Sequence, residues 1–200
     1  MKKLRFLGVL LLGILLTGCG ENEKNTLSGK HNIEISIKDY GVIQATLDAD
    51  QAPITVENFL KLIDQKFYDG LTIHRIVKDF VIQGGDPLGT GQGGSDETIT
   101  GEFSNNGIHN SLSHTRGALS MARNGTDMNS ASSQFFIVQK DSTYLDGDYA
   151  AFGYVTKGME IVDKMVDDIQ AEDDMGTVEK EKQPIITSIR RVEKQKTNEK

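Results

Sequence analysis

The side chain that most needs explaining is Arg75. It stands in Ile73-His74-Arg75-Ile76-Val77, a β-branched run that reads as a strand with a buried face, where a guanidinium must reach an exposed surface or have a job. Strand alternation alone favours the plainer reading, a stem lying on a barrel wall with its head solvated or paired to an acid. Other candidates for chemistry fail on context. Gly89-Thr90-Gly91-Gln92-Gly93-Gly94 satisfies G-x-G-x-x-G in form, but Pro87 precedes it and Ser95-Asp96-Glu97-Thr98 follows without helical period. The strand before and the helix after that a pyrophosphate site requires are missing. His109 and His114 are five apart in a polar stretch and His31 stands at the domain edge; no pair has metal-ligand spacing on one element, and no second cysteine exists to build a zinc site. Serines are plentiful, yet there is no Gly-x-Ser-x-Gly elbow, and nothing marks a serine, a histidine and an aspartate as a set. The sequence predicts no metal and no cofactor.

The elements that must position Arg75 are mostly short strands. Ile33, Ile35 and Ile37 alternate with polar residues, Asp39-Tyr40-Gly41 turns, and residues 42–47 return, which predicts a half-buried hairpin. Pro53 opens a helix with Val56, Phe59, Leu60 and Ile63 at helical spacing, Glu57 in its first turn and Asp69-Gly70 as its stop. Strands are expected at residues 71–77, 80–83, 118–122, 134–139, 150–155 and 185–192, with a short helix at 159–166 burying Ile161, Val162, Met165 and Val166. Many strands, few helices and no βαβ alternation imply a closed or nearly closed antiparallel barrel. The stretch 86–111 is long for a connection, which points to function or a packed loop.

Five blocks stand in order along the chain: Ile73-His74-Arg75-Ile76 with Phe80-Val81-Ile82-Gln83-Gly84-Gly85-Asp86; Ser120-Met121-Ala122; Ser133-Gln134-Phe135-Phe136-Ile137; Tyr144-Leu145-Asp146-Gly147; and Phe152-Gly153. Together they resemble the cyclophilin signature over residues 33–192. The resemblance implies a mainly β fold, a closed antiparallel eight-stranded cyclophilin-like barrel capped by two α-helices. It implies peptidyl-prolyl cis-trans isomerase activity on proline-containing polypeptides, without metal or cofactor. Arg75 matches the catalytic arginine, and Phe80, Val81, Phe136 and Leu145 match the walls that receive the proline ring. Gln83 and Gln134 match the residues that orient arginine and peptide, while Ala122 and Asn124, with Arg123 between them, match the short strand that aligns the substrate. Read without the family, Phe80, Phe136 and Leu145 could be ordinary core. Tyr144 and Tyr149 depart from eukaryotic members, which carry a tryptophan and a histidine there; a weak response to cyclosporin is expected.

The start of the chain reads as an address. Met1-Lys2-Lys3-Leu4-Arg5 is a cationic head, and the apolar run 6–16 is shorter than the ~20 residues that span a bilayer. Leu16-Thr17-Gly18-Cys19 matches the lipobox of bacterial lipoproteins, which makes residues 1–18 a signal peptide and the lone cysteine a lipidation site. Residues 19–30 then form a lipidated leash of roughly 15–20 Å, residues 31–193 the domain, and 194–200 a frayed polar tail. Loss of Lys2, Lys3 and Arg5 takes the 22 basic residues to 19 against 29 acids, a formal charge of −10. Such a body argues against nucleic acid and against electrostatic docking on anionic lipid, leaving two acyl chains as the tether. The expected placement is the extracytoplasmic face of a cell membrane, as a monomer acting on exported proteins. The sequon Asn124-Gly125-Thr126 is then a chance match. The alternative functions are a chaperone or adaptor that uses the same groove only to hold proline segments, and, more distantly, a hydrolase.

Overall fold

Alternation of apolar and polar residues builds one sheet. In the computed structural model, residues 26–192 are described; Cys19, the leader and the residues beyond Val192, with the domain boundaries expected among them, lie outside the described residues. Strands β1 (Lys30–Ile37) and β2 (Gly41–Asp48) make the expected hairpin, Lys30 opposite Asp48 and Ile37 opposite Gly41, with Asp39 and Gly41 turning at φ of 65° and 128°. The remaining strands are β3 (Thr72–Val77), β4 (Val81–Asp86), β5 (Ala118–Met121), β6 (Phe135–Val138), β7 (Ala151–Lys157) and β8 (Ile186–Val192). They join antiparallel in the order β3-β4-β6-β5-β7-β2-β1-β8.

The sheet is curled but open, which corrects the expectation of a closed barrel. The edge strands β3 and β8 share no ladder. They meet at a single bridge, Thr72 with Ile185, and at backbone hydrogen bonds such as Ile186 N to Leu71 O and Ile73 N to Pro184 O, 2.8 and 2.9 Å. Further along, the free edge of β3 is already taken. Ile76 N donates to Gly176 O at 2.8 Å, Val178 N donates to His74 O at 3.0 Å, and Arg75 pairs with Thr177. The segment before β8 thus sits where a closing strand would lie.

Two helices cover the sheet. Helix α1 (Pro53–Asp64) has proline in its first turn and buries Val56, Phe59, Leu60 and Ile63, as their spacing predicts. Its ends differ from expectation: the first turn holds no acid, and the helix stops at Asp64, ahead of Asp69-Gly70. The missing negative charge comes from elsewhere. Glu102, buried in the long 86–111 connection, accepts from Ile54 N and Thr55 N at 3.0 and 2.8 Å and from the Thr55 hydroxyl at 2.7 Å. A distant carboxylate therefore satisfies the helix's orphan amides and complements its dipole. Helix α2 (Met159–Asp168) buries Val162, Met165 and Val166, with Ile161 half-buried against the core. At the centre of the main core, Phe59 packs on Tyr68, Phe135 and Phe152, with ring centroids 4.9, 5.3 and 5.0 Å away.

Candidate active site

Where the arginine points is decided in β3. Ile73 and Ile76 are both buried in the main core, although a spacing of three would put them on opposite faces of a regular strand. A bulge resolves the conflict, because Ile73 pairs with Gly84 and Arg75 with Gln83, leaving His74 as the extra residue. Bulges re-aim side chains, and this one turns Arg75 away from the core. Register then lays a row across four strands: Arg75 opposite Gln83, Gln83 opposite Phe136, and Phe136 opposite Ser120. Alternation in β6 sends Phe135 and Ile137 into the main core and Phe136 and Val138 to the other face. There, Val81, Ala118, Phe136 and Val138 form a second apolar cluster on which Phe80, Ala122, Leu145 and Tyr149 pack.

That cluster is the floor of a cavity of about 190 Å³, lined by Arg75, Phe80, Val81, Gln83, Ala122, Arg123, Phe136, Leu145 and Tyr149. Arg75 is fixed at its edge. Its Nε donates to the Met175 carbonyl at 2.7 Å and its Nη1 to Gln83 Oε1 at 3.1 Å, while the guanidinium carbon lies 5.6 Å from the centre of the Phe80 ring. Gln83 Nε2 in turn donates to Gln134 Oε1 at 2.9 Å, and Gln134 Nε2 to the carbonyls of Gly91 and Gly93 at 3.0 and 2.7 Å. Those carbonyls set the direction of both amides and leave the Gln83 oxygen for the arginine. Burial pulls the Arg75 pKa down from the ordinary arginine value, opposed by Tyr149, Asp173 and Tyr144; the head stays charged, as arginine does in proteins. Arg116, Arg190 and Arg191 each hold a carboxylate, but Arg75 has no ion pair among the described residues.

Three of the residues expected at the site stand outside this cup. Gln134 acts through Gln83. Tyr144, 71% exposed, forms an outer rim and stacks on Phe80 at 6.0 Å. Asn124 is exposed in a loop, since β5 ends at Met121; its backbone N–H donates to Ser130 Oγ and its side chain accepts from Thr126. Asn124 and Gln134 line a second, polar cavity of about 440 Å³ that shares Gln83, Ala122 and Arg123 with the cup. Tyr149 lies in the cup wall, edge-on to Phe136 and under the Arg123 guanidinium.

Geometry bears equally on the phosphate, hydrolase and metal alternatives. The glycine-rich stretch is wound around the protein's own carboxylate: Asp86 accepts from the amides of Leu88, Thr90 and Gly91 at 2.8, 2.9 and 2.6 Å, so amides that might cradle a phosphate are spent. Gly85, at φ 85° with Ser133 O only 2.6 Å from where a Cβ would stand, allows β4 to turn into that loop. A serine, a histidine and an aspartate do come together, which spacing did not reveal. His114 Nδ1 is 2.7 Å from Asp146 Oδ1, and its Nε2 is 2.9 Å from Ser120 Oγ. Both His114 and Ser120 are fully buried, so no substrate reaches this serine. The His114 ring instead stacks under Phe136 and against Tyr149, supporting the cup from below. No group of three or more histidine, cysteine or acidic side chains able to hold a metal occurs among the described residues. The Met175 carbonyl, a backbone group with no sequence signal, was not anticipated.

Fold and site together define a class of sheet protein with an apolar cup and a fixed guanidinium at its lip, and comparison with known proteins gives that class its family. The family described as cyclophilin type peptidyl-prolyl cis-trans isomerase/CLD matches residues 32–193, and the chain belongs to it. Peptidyl-prolyl isomerisation is the activity of that family. The chain is 47% identical over 126 residues to peptidyl-prolyl cis-trans isomerase-like 1 of Neurospora crassa, covering 62% of this chain and 75% of that protein. It is 45% identical over 129 residues to peptidyl-prolyl cis-trans isomerase B of Bacillus subtilis, covering 64% and 86%. Among solved structures, a Cryptosporidium parvum cyclophilin type peptidyl-prolyl cis-trans isomerase, crystallised in the presence of the dipeptide Ala-Pro, superimposes with a TM-score of 0.71 at 30% identity, covering 81% of this chain and 99% of that one.

Proposed function

We propose that Arg75 accelerates rotation about X-Pro bonds in exported polypeptides, and that Cys19 carries the lipid that holds the enzyme, as a monomer, at the outer face of a cell membrane. The planar imide resists twisting by ~18–20 kcal/mol because resonance is lost, while cis and trans differ by only ~0.5–1 kcal/mol. At the half-turned stage the proline nitrogen regains its lone pair. A guanidinium that donates to that nitrogen stabilises the twisted state and not the planar one, which is the differential binding that speeds a reaction. Phe80, Val81, Phe136 and Leu145 hold the ring, and the stretch Ala122 to Asn124 grips the chain ahead of it. No proton moves and no covalent bond forms.

The observation that carries this reading is the cation at the lip of the cup, with Nε and Nη1 engaged by a carbonyl and an amide oxygen and no ion pair among the described residues. Support for the anchor is the lone Cys19 after Leu16-Thr17-Gly18. Exchange spectroscopy on an Ala-Ala-Pro-Phe peptide tests the first part: Arg75→Ala should lose most of its kcat/KM while keeping its near-ultraviolet dichroism, and unchanged exchange would remove Arg75 from the mechanism. Labelled palmitate tests the second. Incorporation should vanish in Cys19→Ser and the protein should leave the membrane fraction; labelling that persists would place the lipid elsewhere.

A further inference from the structure

We propose that Arg123 makes the groove selective for an acidic side chain one or two residues ahead of the proline. This rests on the proposed function of the cup. Arg123 stands in the wall between the apolar cup and the polar cavity and lines both. In the polar cavity it is the one charged residue, beside Gln83, Gln92, Asn124, Ser130, Ser132 and Gln134, with no acid in the lining. That is a marked contrast in a chain with 29 acidic against 22 basic residues.

The guanidinium is held in place without being neutralised. Nε donates to the Asp148 backbone carbonyl at 2.9 Å, and Nη1 to the carbonyls of Asn124 and Gly125 at 2.9 and 3.3 Å. Its planar face lies 4.8 Å from the centre of the Tyr149 ring and 5.4 Å from that of Phe103. No protein acceptor meets Nη2, and no carboxylate pairs with the head among the described residues. Two acids of the flanking loops are engaged through Oδ1 by other partners. Asp148 Oδ1 accepts from Asn105 Nδ2 at 2.8 Å, and Asp127 Oδ1 from Asn129 N at 2.8 Å. Of the described arginines, the two without a carboxylate are Arg75 and Arg123, and both line the groove. A fixed, stacked guanidinium with Nη2 free can direct that nitrogen's two N–H groups at a carboxylate in a charge-assisted contact. With the proline ring in the cup and the preceding residues running past Ala122, that carboxylate belongs to the substrate's N-terminal side.

The test compares peptides Ala-X-Pro-Phe and X-Ala-Pro-Phe with X as Glu, Gln or Lys, read by exchange spectroscopy for kcat/KM and by titration for Kd. Wild type should favour Glu over Gln at one of the two positions by roughly two- to fivefold, the range of a partly exposed ion pair, and the ratio should shrink with added salt. Arg123→Gln should bring the Glu-to-Gln ratio to about one, and Arg123→Lys should keep part of it. Should Arg123→Gln fail to fold, the salt dependence and Glu-to-Gln ratio of the wild type decide alone. Equal values for Glu and Gln at both positions overturn the proposal. Absence of accelerated exchange on every peptide counts against the isomerase mechanism instead, and the Kd ratios still decide the selectivity.

Discussion

At the residue scale, the proposed chemistry depends on how tightly one cation is aimed. Arg75 has Nε on a carbonyl and Nη1 on Gln83, so its fork is oriented before substrate arrives and little reorganisation is left for the reacting complex. Removing a donor of this kind costs on the order of 10²- to 10³-fold in rate, which sets the size of the loss expected for Arg75→Ala. Arg75→Lys should recover little of it, because a flexible ammonium keeps the charge but cannot use the Met175 carbonyl and Gln83 together as a planar fork does. A lysine variant with near wild-type kcat/KM would mean that charge alone suffices. Gln83 and Gln134 were legible in the sequence through the family motif. Met175 was not: its contribution is a carbonyl 100 residues from Arg75 in the chain, and any residue type offers one.

At the element scale, the least legible feature is the start of α1. Proline at its first position and the apolar spacing mark the helix in the sequence, but the group that satisfies its amides is Glu102, more than forty residues further along. Its carboxylate is buried and takes three donors, so truncation leaves those donors orphaned. Glu102→Ala should destabilise by about 1–3 kcal/mol, with Glu102→Gln milder because one amide oxygen still accepts. Urea unfolding midpoints check this; a loss below about 0.5 kcal/mol, the size of an ordinary surface change, would mean that water replaces the carboxylate. The strands, by contrast, were readable because period two is visible in Ile33-Glu34-Ile35-Ser36-Ile37. The bulge at His74 was not, since Ile73 and Ile76 look out of phase until β4 supplies the register. Likewise, His114, Ser120 and Asp146 become neighbours only once β5 and the loop before Ala150 have folded over one another.

At the scale of the whole molecule, the pH response is set by what is buried near the open edge and beneath the cup. The 174–178 segment that occupies the edge of β3 bonds to the backbone of His74, whose ring is 4% exposed with neither nitrogen hydrogen-bonded, Gln134 having turned its amide to Gly91 and Gly93. Burial lowers the pKa of His74, with Asp86 opposing, and burial lowers that of His114, with Asp146 opposing. Both rings are therefore neutral in the native state at pH 7. Their native pKa values lie below the unfolded value near 6.5, so as pH falls the unfolded chain takes up protons first. The stability this contributes is fully present above about pH 6.5 and is lost progressively towards the lowered native values. A second loss should come further down: Asp86 and Asp146 are held below the ordinary carboxylate range, because hydrogen bonds from their neighbours outweigh the opposing effect of burial. Urea midpoints measured from pH 8 to pH 3 should accordingly fall in two stages, the first setting in below about pH 6.5 and the second below about pH 4. His74→Leu should flatten the first stage while costing little at pH 8, since an orphaned ring leaves no partner unsatisfied when replaced by an apolar group of similar size. An unaltered slope in that variant would show that the His74 ring is protonated alike in native and unfolded chains, and that the first stage belongs to His114 beneath Phe136.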